Sequence, residues 1–105
     1  MTFRVEEHPE ARAEYLDAVS YYEGLRSGLG AELIDRFEEA IADIRNDPQT
    51  WPVHPDWHGE PVLRSRSVKT FRYRIVYYIR DETVRLIAYA HTSREPGYWH
   101  ARTRT

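Results

Sequence analysis

The chain has 105 residues, a formal net charge of −2, and hydrophobic and aromatic contents of 41% and 13%. This length and apolar content exclude a disordered chain and predict one domain, residues 1–105, with a single modest core. The absence of cysteine excludes disulfides and thiolate chemistry. Since residues 1–12 lack the pattern of a signal peptide and no apolar run reaches the roughly 20 residues that span a bilayer, we expect a cytoplasmic protein without a membrane partner.

The first half of the chain predicts one strand and two helices. Residues 3–7 are compatible with a short strand, and Pro9 suits the first turn of a helix. Residues 27–30 are rich in glycine and separate two helical patterns, and the sequence Asn-Asp-Pro at 46–48 ends the second. Apolar residues recur every three or four positions in both patterns: Ala11, Tyr15, Ala18, Tyr22 and Leu25, then Leu33, Ile34, Phe37, Ala40, Ile41 and Ile44. We expect an αα-hairpin with acidic outer faces.

The second half predicts three strands after a loop at residues 49–61. Alternation of apolar and polar residues indicates strands at 62–68, 72–80 and 84–90. The turn at residues 81–82 is short, so the last two strands must pair as an antiparallel hairpin. One side of the middle strand is expected to face the helices: Tyr73, Ile75, Tyr77 and Ile79. The predicted fold is α+β, with the helical hairpin on one face of an antiparallel sheet in the order β-α-α-β-β-β and the opposite face partly open.

Charge is divided unevenly along the chain. Residues 1–60 hold 14 acidic and 5 basic residues, and residues 61–105 hold 3 and 10. We expect five arginines to converge on the sheet face away from the helices: Arg64, Arg66, Arg72, Arg74 and Arg80. Like charges repel, which favours a bound polyanion or acidic protein segment. Interleaved rings would stack bases there: Tyr78, Tyr89 and His91. The alternative is that the arginines only solubilise the strands and prevent edge pairing.

Three segments resemble the RelE/ParE superfamily of type II toxin–antitoxin toxins: YYEGLRSGLGAELIDRFEEAIADI, FRYRIVYYIRDETVRLIAYAH and TSREPGYW. The resemblance covers nearly the whole chain, and residues 91–99 resemble the H-x-x-R-x-P-x-Y-W ending of the ParE-like branch. It implies a toxin of the plasmid-stabilisation type that inhibits growth and forms a hetero-oligomer with a cognate antitoxin. It also implies one of two targets, DNA gyrase or ribosome-bound mRNA.

Cleavage of RNA without a metal needs a base, an acid and cations that stabilise the phosphorane. The resemblance to RelE-like nucleases assigns the cations to Arg74 and Arg94 and leaves His91 and Tyr98 as an acid/base pair. It places Arg64 and Arg66 near two basic strand residues of that branch, with a shift in register. We expect Arg64, Arg66, Arg72 and Arg80 to bind nucleic acid or the antitoxin. Structural roles remain open for three of these residues: His91 at a strand end, Tyr98 on the core, and Arg94 in an ion pair with Glu95 or with an acidic residue of a helix.

No cofactor or metal is expected. His54 and His58 flank Asp56, but a loop broken by prolines gives these side chains no common helical face. Three classes of function therefore remain open. They are a ribosome-dependent mRNA endoribonuclease, a non-enzymatic inhibitor of gyrase, and a non-toxic member that only binds its antitoxin.

Overall fold

The computed structural model describes residues 3–55, 57–95 and 97–104. The α+β prediction is confirmed, and each predicted element is present with ends that shift by one or two residues. In chain order the elements are β1 (Arg4–Glu7), α1 (Pro9–Leu25), α2 (Leu29–Asn46), β2 (Arg64–Val68), β3 (Tyr73–Arg80), β4 (Thr83–His91) and a 3₁₀ helix (His100–Arg104). None of the helices in the described ranges is long and apolar enough to cross a membrane.

The four strands form one sheet in the order β1-β4-β3-β2. β2 and β4 both pair antiparallel with β3, as the short connections require. β1 instead pairs parallel with β4, so the sheet is mixed rather than wholly antiparallel. The helical hairpin separates β1 from the other strands in sequence, and a long crossover allows a parallel pairing that a tight turn forbids.

Local interactions determine where the two helices begin. Pro9 occupies the first turn of α1, and the Nδ1 atom of His8 accepts a hydrogen bond from the backbone N–H of Glu10 at 3.1 Å. α2 follows Gly28, whose φ of 92° favours glycine. The carboxylate of Glu23 accepts hydrogen bonds from the backbone N–H groups of Gly28 and Gly30. This carboxylate therefore supplies the N-terminal cap that the side chain of a glycine cannot.

The main apolar core lies between the helices and the sheet. Phe37 is fully buried at its centre, with its ring centroid 4.9 Å from those of both Tyr15 and Tyr89. The predicted inward side of β3 is confirmed, because Ile75 and Tyr77 belong to this cluster and its other two residues pack against it. Two residues of the predicted helical stripes lie instead at its margins and are exposed: Leu25 and Ile34.

A second, smaller cluster covers the centre of the opposite sheet face. It contains Leu63, Val76, Tyr78, Ile87, Ala88 and Trp99. The register between β3 and β4 is irregular at Val76/Tyr77, and the adjacent Ile87 and Ala88 both belong to this cluster. Residues from the loop before β2 and from the segment after β4 pack alongside, so this face is open mainly at its two ends.

Candidate functional site

The four residues predicted to be catalytic lie around one cavity of about 230 Å³: Arg74, His91, Arg94 and Tyr98. The antiparallel pairing of Arg74 with Ala90 brings the start of β3 next to the end of β4. The segment after β4 then turns back and supplies Arg94 and Tyr98. Trp99 of the second apolar cluster and the neighbouring His54 also line this cavity. The exposed side chain of Glu95 lines it as well.

The two arginines of this cavity are held differently. Arg74 is half-buried on the second sheet face, and its Nη1 atom donates to the hydroxyl of Ser65 at 3.1 Å. Arg94 is exposed, and its guanidinium carbon lies 3.9 Å from the centroid of the Tyr98 ring. A guanidinium carries five N–H donors, so these contacts leave both side chains with donors for an anionic ligand.

His91 has a defined orientation at the end of β4. Its Nδ1 atom accepts a hydrogen bond from the backbone N–H of Ser93 at 3.0 Å and lies 2.7 Å from the Ser93 hydroxyl oxygen. A neutral imidazole that accepts at Nδ1 carries its proton on Nε2. The ring also stands edge-on to Tyr73 at 5.1 Å. In its neutral form His91 therefore presents a donor at Nε2 rather than a base.

The Tyr98 hydroxyl is hydrogen-bonded to a carboxylate from the helical hairpin. It donates to one oxygen of Glu14 at 2.6 Å, while the other oxygen accepts from the backbone N–H of Tyr89 and from Arg102, both at 3.0 Å. Burial, followed by the hydrogen bond to Glu14, raises the pKa of Tyr98 well above its ordinary value. The phenol therefore remains neutral and joins the C-terminal segment to α1.

Glu14 and Arg102 were not identified as site residues from the sequence. Acidic residues of the helices are expected on a solvated face, and Glu14 lies just off the apolar stripe of α1. Its spacing of three and four residues from Ala11 and Ala18 was a usable signal, because such a position borders the buried face. Arg102 carries no comparable local pattern.

The predicted placement of Arg64 and Arg66 is wrong. Both lie on the side of β2 that faces the helices, opposite Tyr77 and Ile75 of β3. The side chain of Arg66 is 9% exposed; its guanidinium forms an ion pair with Asp43 of α2 and lies 4.9 Å from the Trp51 ring centroid. Arg64 donates to the Trp51 carbonyl at 2.7 Å. These contacts join β2 to α2 and to the loop that follows α2.

The remaining predicted binding residues do not form one surface. Arg72 is exposed next to the start of β3, near Arg74, whereas Arg80 lies at the other end of the strand. At the usual rise per residue of a strand, Arg80 is about 20 Å from Arg74. Two of the three rings predicted to stack bases are also unavailable. Tyr78 and Tyr89 are 3% and 1% exposed, because each packs into an apolar cluster.

No group of three or more potential metal ligands occurs among the described residues. His54 is buried with its ring 5.1 Å from that of Trp99. Asp56, which lies between His54 and His58 in the sequence, is outside the described residues.

Comparison with known structures identifies the fold. A chain of the chromosomal ParDE TA system from P. aeruginosa superposes with a TM-score of 0.72 at 9% identity, over 86% of this chain and 96% of that one. A mutant of the E. coli toxin RelE in the free state gives 0.66 at 18% identity, over 99% and 98%. The isolated E. coli RelE toxin gives 0.63 at 18% identity, over 97% of both chains.

Comparison of sequences identifies the family. No curated protein gives a match. The family described as "ParE toxin of type II toxin-antitoxin system, parDE" matches residues 5–96. The matched range runs from β1 to the segment after β4 and includes three of the four residues around the cavity: Arg74, His91 and Arg94. The chain therefore belongs to the ParE toxin family of type II toxin–antitoxin systems, within the RelE/ParE superfamily.

Proposed function

We propose that the protein inhibits growth by binding DNA gyrase rather than by cleaving RNA, and that a cognate antitoxin neutralises it. The observation that carries this proposal is the hydrogen bond from the Tyr98 hydroxyl to Glu14 at 2.6 Å. Tyr98 was one half of the acid/base pair that the nuclease interpretation needs. A phenol with a raised pKa that already donates to a carboxylate is a poor general base.

The other groups of the site support the same conclusion. His91 presents a donor in its neutral form, because its Nδ1 atom accepts from Ser93. Arg64 and Arg66, the expected additional cations, contact the Trp51 carbonyl and Asp43 instead. Arg74 and Arg94 remain as positive charges beside an open cavity, a combination that suits binding of an acidic or phosphate-bearing partner.

An antitoxin partner is proposed on the basis of the family and of the surface of the helical hairpin. The similar ParDE structure is described as a TA system. Three large apolar side chains of α1 are 56–62% exposed: Leu16, Tyr21 and Leu25. Together with the exposed Arg72 and Arg94, they offer the mixture of apolar and cationic contacts that an amphipathic, acidic antitoxin segment would cover. The complex would be a hetero-oligomer.

Ribosome-dependent mRNA cleavage is the second candidate. The observation in its favour is that Arg74, His91 and Arg94 surround one cavity that also contains Glu95. In that case a doubly protonated His91 would act as the acid, and the two arginines would stabilise the phosphorane.

Purified protein would be tested in two assays, supercoiling by gyrase and cleavage of mRNA on programmed ribosomes. We expect inhibition of gyrase and intact mRNA. Brief induction in cells without the antitoxin should cause DNA breaks and filamentation, and co-expression of the neighbouring antitoxin should restore growth. Arg74→Ala and Arg94→Ala should weaken the inhibition, whereas Arg26→Ala, which removes an exposed charge from the helical side, should not.

The nuclease candidate makes an opposite prediction in the same assays. It requires cleavage of ribosome-bound mRNA by the wild type and a loss of about 10²–10³ in rate when either arginine is removed. That result would contradict the gyrase proposal. Absence of both activities, with normal growth at verified soluble expression, would leave only antitoxin binding.

A further inference from the structure

A second cavity lies at the far end of β3 from the candidate site. Its volume is about 570 Å³, compared with about 230 Å³ for the cavity around Arg94, and the two share no described lining residue. Its walls include two aromatic rings, Trp57 and His100, and two arginines, Arg80 and Arg104. We call it the Trp57 groove. Pockets of this volume accommodate ligands of nucleotide size.

Contacts with neighbouring residues fix the orientation of the aromatic rings that line the groove. The indole of Trp57 is half-buried, and its Nε1 atom donates to the Pro61 carbonyl at 2.6 Å. The His100 ring lies 4.9 Å from that indole at an angle of 61°, and Trp99 contacts both rings from within the second apolar cluster. Because these rings are already ordered, contact with a planar ligand costs little conformational entropy.

The arginines of the groove have no acidic ion-pair partner among the residues that the structure describes. Arg80 and Arg104 are both exposed, and neither forms an ion pair with any acidic residue of the described ranges. Arg80 lies over the Tyr78 ring at 5.4 Å. Among the described residues that line the groove, Glu60 is the acidic one. Nearby Arg102, in contrast, is bound to Glu14.

We propose that the Trp57 groove binds single-stranded nucleic acid. A base would contact the rings of Trp57 and His100, and the adjacent phosphates would lie against Arg80 and Arg104. Fixed aromatic rings beside unpaired arginines are the combination that single-strand binding proteins use. An acidic peptide would satisfy the arginines but would leave the rings without a planar partner. The proposal is independent of the toxin's target, since the groove lies outside the cavity on which the proposed function depends.

Binding would be measured by fluorescence anisotropy with a labelled 12-nucleotide oligo-dT strand at low salt. Arg80→Ala/Arg104→Ala should weaken binding at least tenfold, and the slope of log K against log[salt] should fall by about 1.4, since each lost phosphate contact contributes about 0.7. The matched control is Arg4→Ala/Arg26→Ala, which makes the same change in net charge outside the groove and should alter affinity less than twofold. Circular dichroism would verify that both variants are folded.

A second arm separates base contacts from charge alone. An abasic strand of the same length should bind at least tenfold more weakly than oligo-dT, because it lacks the bases that would contact the rings. Equal affinity for the two strands would overturn the proposal in favour of a simple anion site. Equal weakening by both double variants, or no binding by the wild type, would overturn it as well. Each result leaves the gyrase and ribosome assays unaffected.

Discussion

The two faces of the sheet use their charged and polar groups in different ways. On the helix face, three buried side chains have carboxylate partners within the fold. Tyr15 donates to Glu38 at 2.8 Å, Tyr89 donates to Glu7, and Arg66 pairs with Asp43. On the second face the arginines lie at the two ends of a smaller apolar cluster. Arg74 contacts a hydroxyl and Arg80 a ring, so both keep donors for a ligand. Position relative to the helices therefore separates Arg66, which stabilises the fold, from Arg74 and Arg80, which remain available for binding.

The tyrosines of the helix face contribute hydrogen bonds without titrating. Burial, followed by the hydrogen bond to Glu38, raises the pKa of Tyr15 to about 12. Burial raises the pKa of Tyr89 further, with a contribution from Glu7. Both phenols are therefore neutral donors throughout the physiological range.

The largest expected effect is at the centre of the helix face. Phe37→Ala should lower the free energy of unfolding by about 3–5 kcal/mol, because it empties a fully buried site between three tyrosine rings. The control is Leu16→Ala on the outside of α1, where the side chain is 56% exposed and the expected change is within about 0.5 kcal/mol. Urea denaturation would compare the two. A similar loss in both would mean that the helix face is not the dominant core.

The second prediction tests whether Arg66 is structural. Asp43→Ala should destabilise the fold by about 2 kcal/mol, less than for a fully buried pair because Asp43 is 43% exposed. The loss arises mainly from an uncompensated buried guanidinium. Arg66→Met in the same chain should therefore restore most of the stability, since an apolar side chain of similar length needs no partner.

A different outcome would return Arg66 to a binding role. If Arg66→Met alone left the free energy of unfolding unchanged but weakened antitoxin binding more than tenfold, this side chain would contact the partner. Isothermal titration with the cognate antitoxin would measure that affinity.

The contrast between the two faces also explains which parts of the fold could be predicted. The helices and β3 have a clear apolar period, so their limits and the inward side of β3 follow from the sequence. β2 has arginines on one side and serines on the other, with no apolar contrast between positions 64 and 67. The arginine side of this strand contacts Asp43 and Trp51, which are distant in sequence, and the pattern alone led to the wrong face.

The candidate site was predictable to the extent that its residues are local. His91, Arg94 and Tyr98 are close in sequence, and the predicted hairpin between β3 and β4 brings Arg74 beside them. Glu14 could not be placed in the same way, because its bond to Tyr98 spans 84 residues between α1 and the C-terminal segment. The chemistry of Tyr98 depends on that contact. The sequence therefore indicated which residues lie at the site but not what each of them does there.

The smallest expected effect concerns the junction between the sheet and α1. At this junction the stability of the fold should depend on pH. His8 is buried, and its Nδ1 atom caps α1. Burial, followed by the charge of Arg85, lowers the pKa of His8 from its ordinary value of 6.5. The unfolded chain therefore binds more protons than the folded one as pH falls through 6.5, and stability is lost until the pH passes the lowered pKa.

His8→Asn keeps a capping oxygen and cannot be protonated. We expect this variant to remain within about 1 kcal/mol of the wild type at pH 7.5 and to lose less stability between pH 7 and 5. His58→Asn, at an exposed position, should retain the pH dependence of the wild type. Thermal denaturation across this range would reveal the difference, and parallel curves for wild type and His8→Asn would show that His8 does not couple protonation to folding.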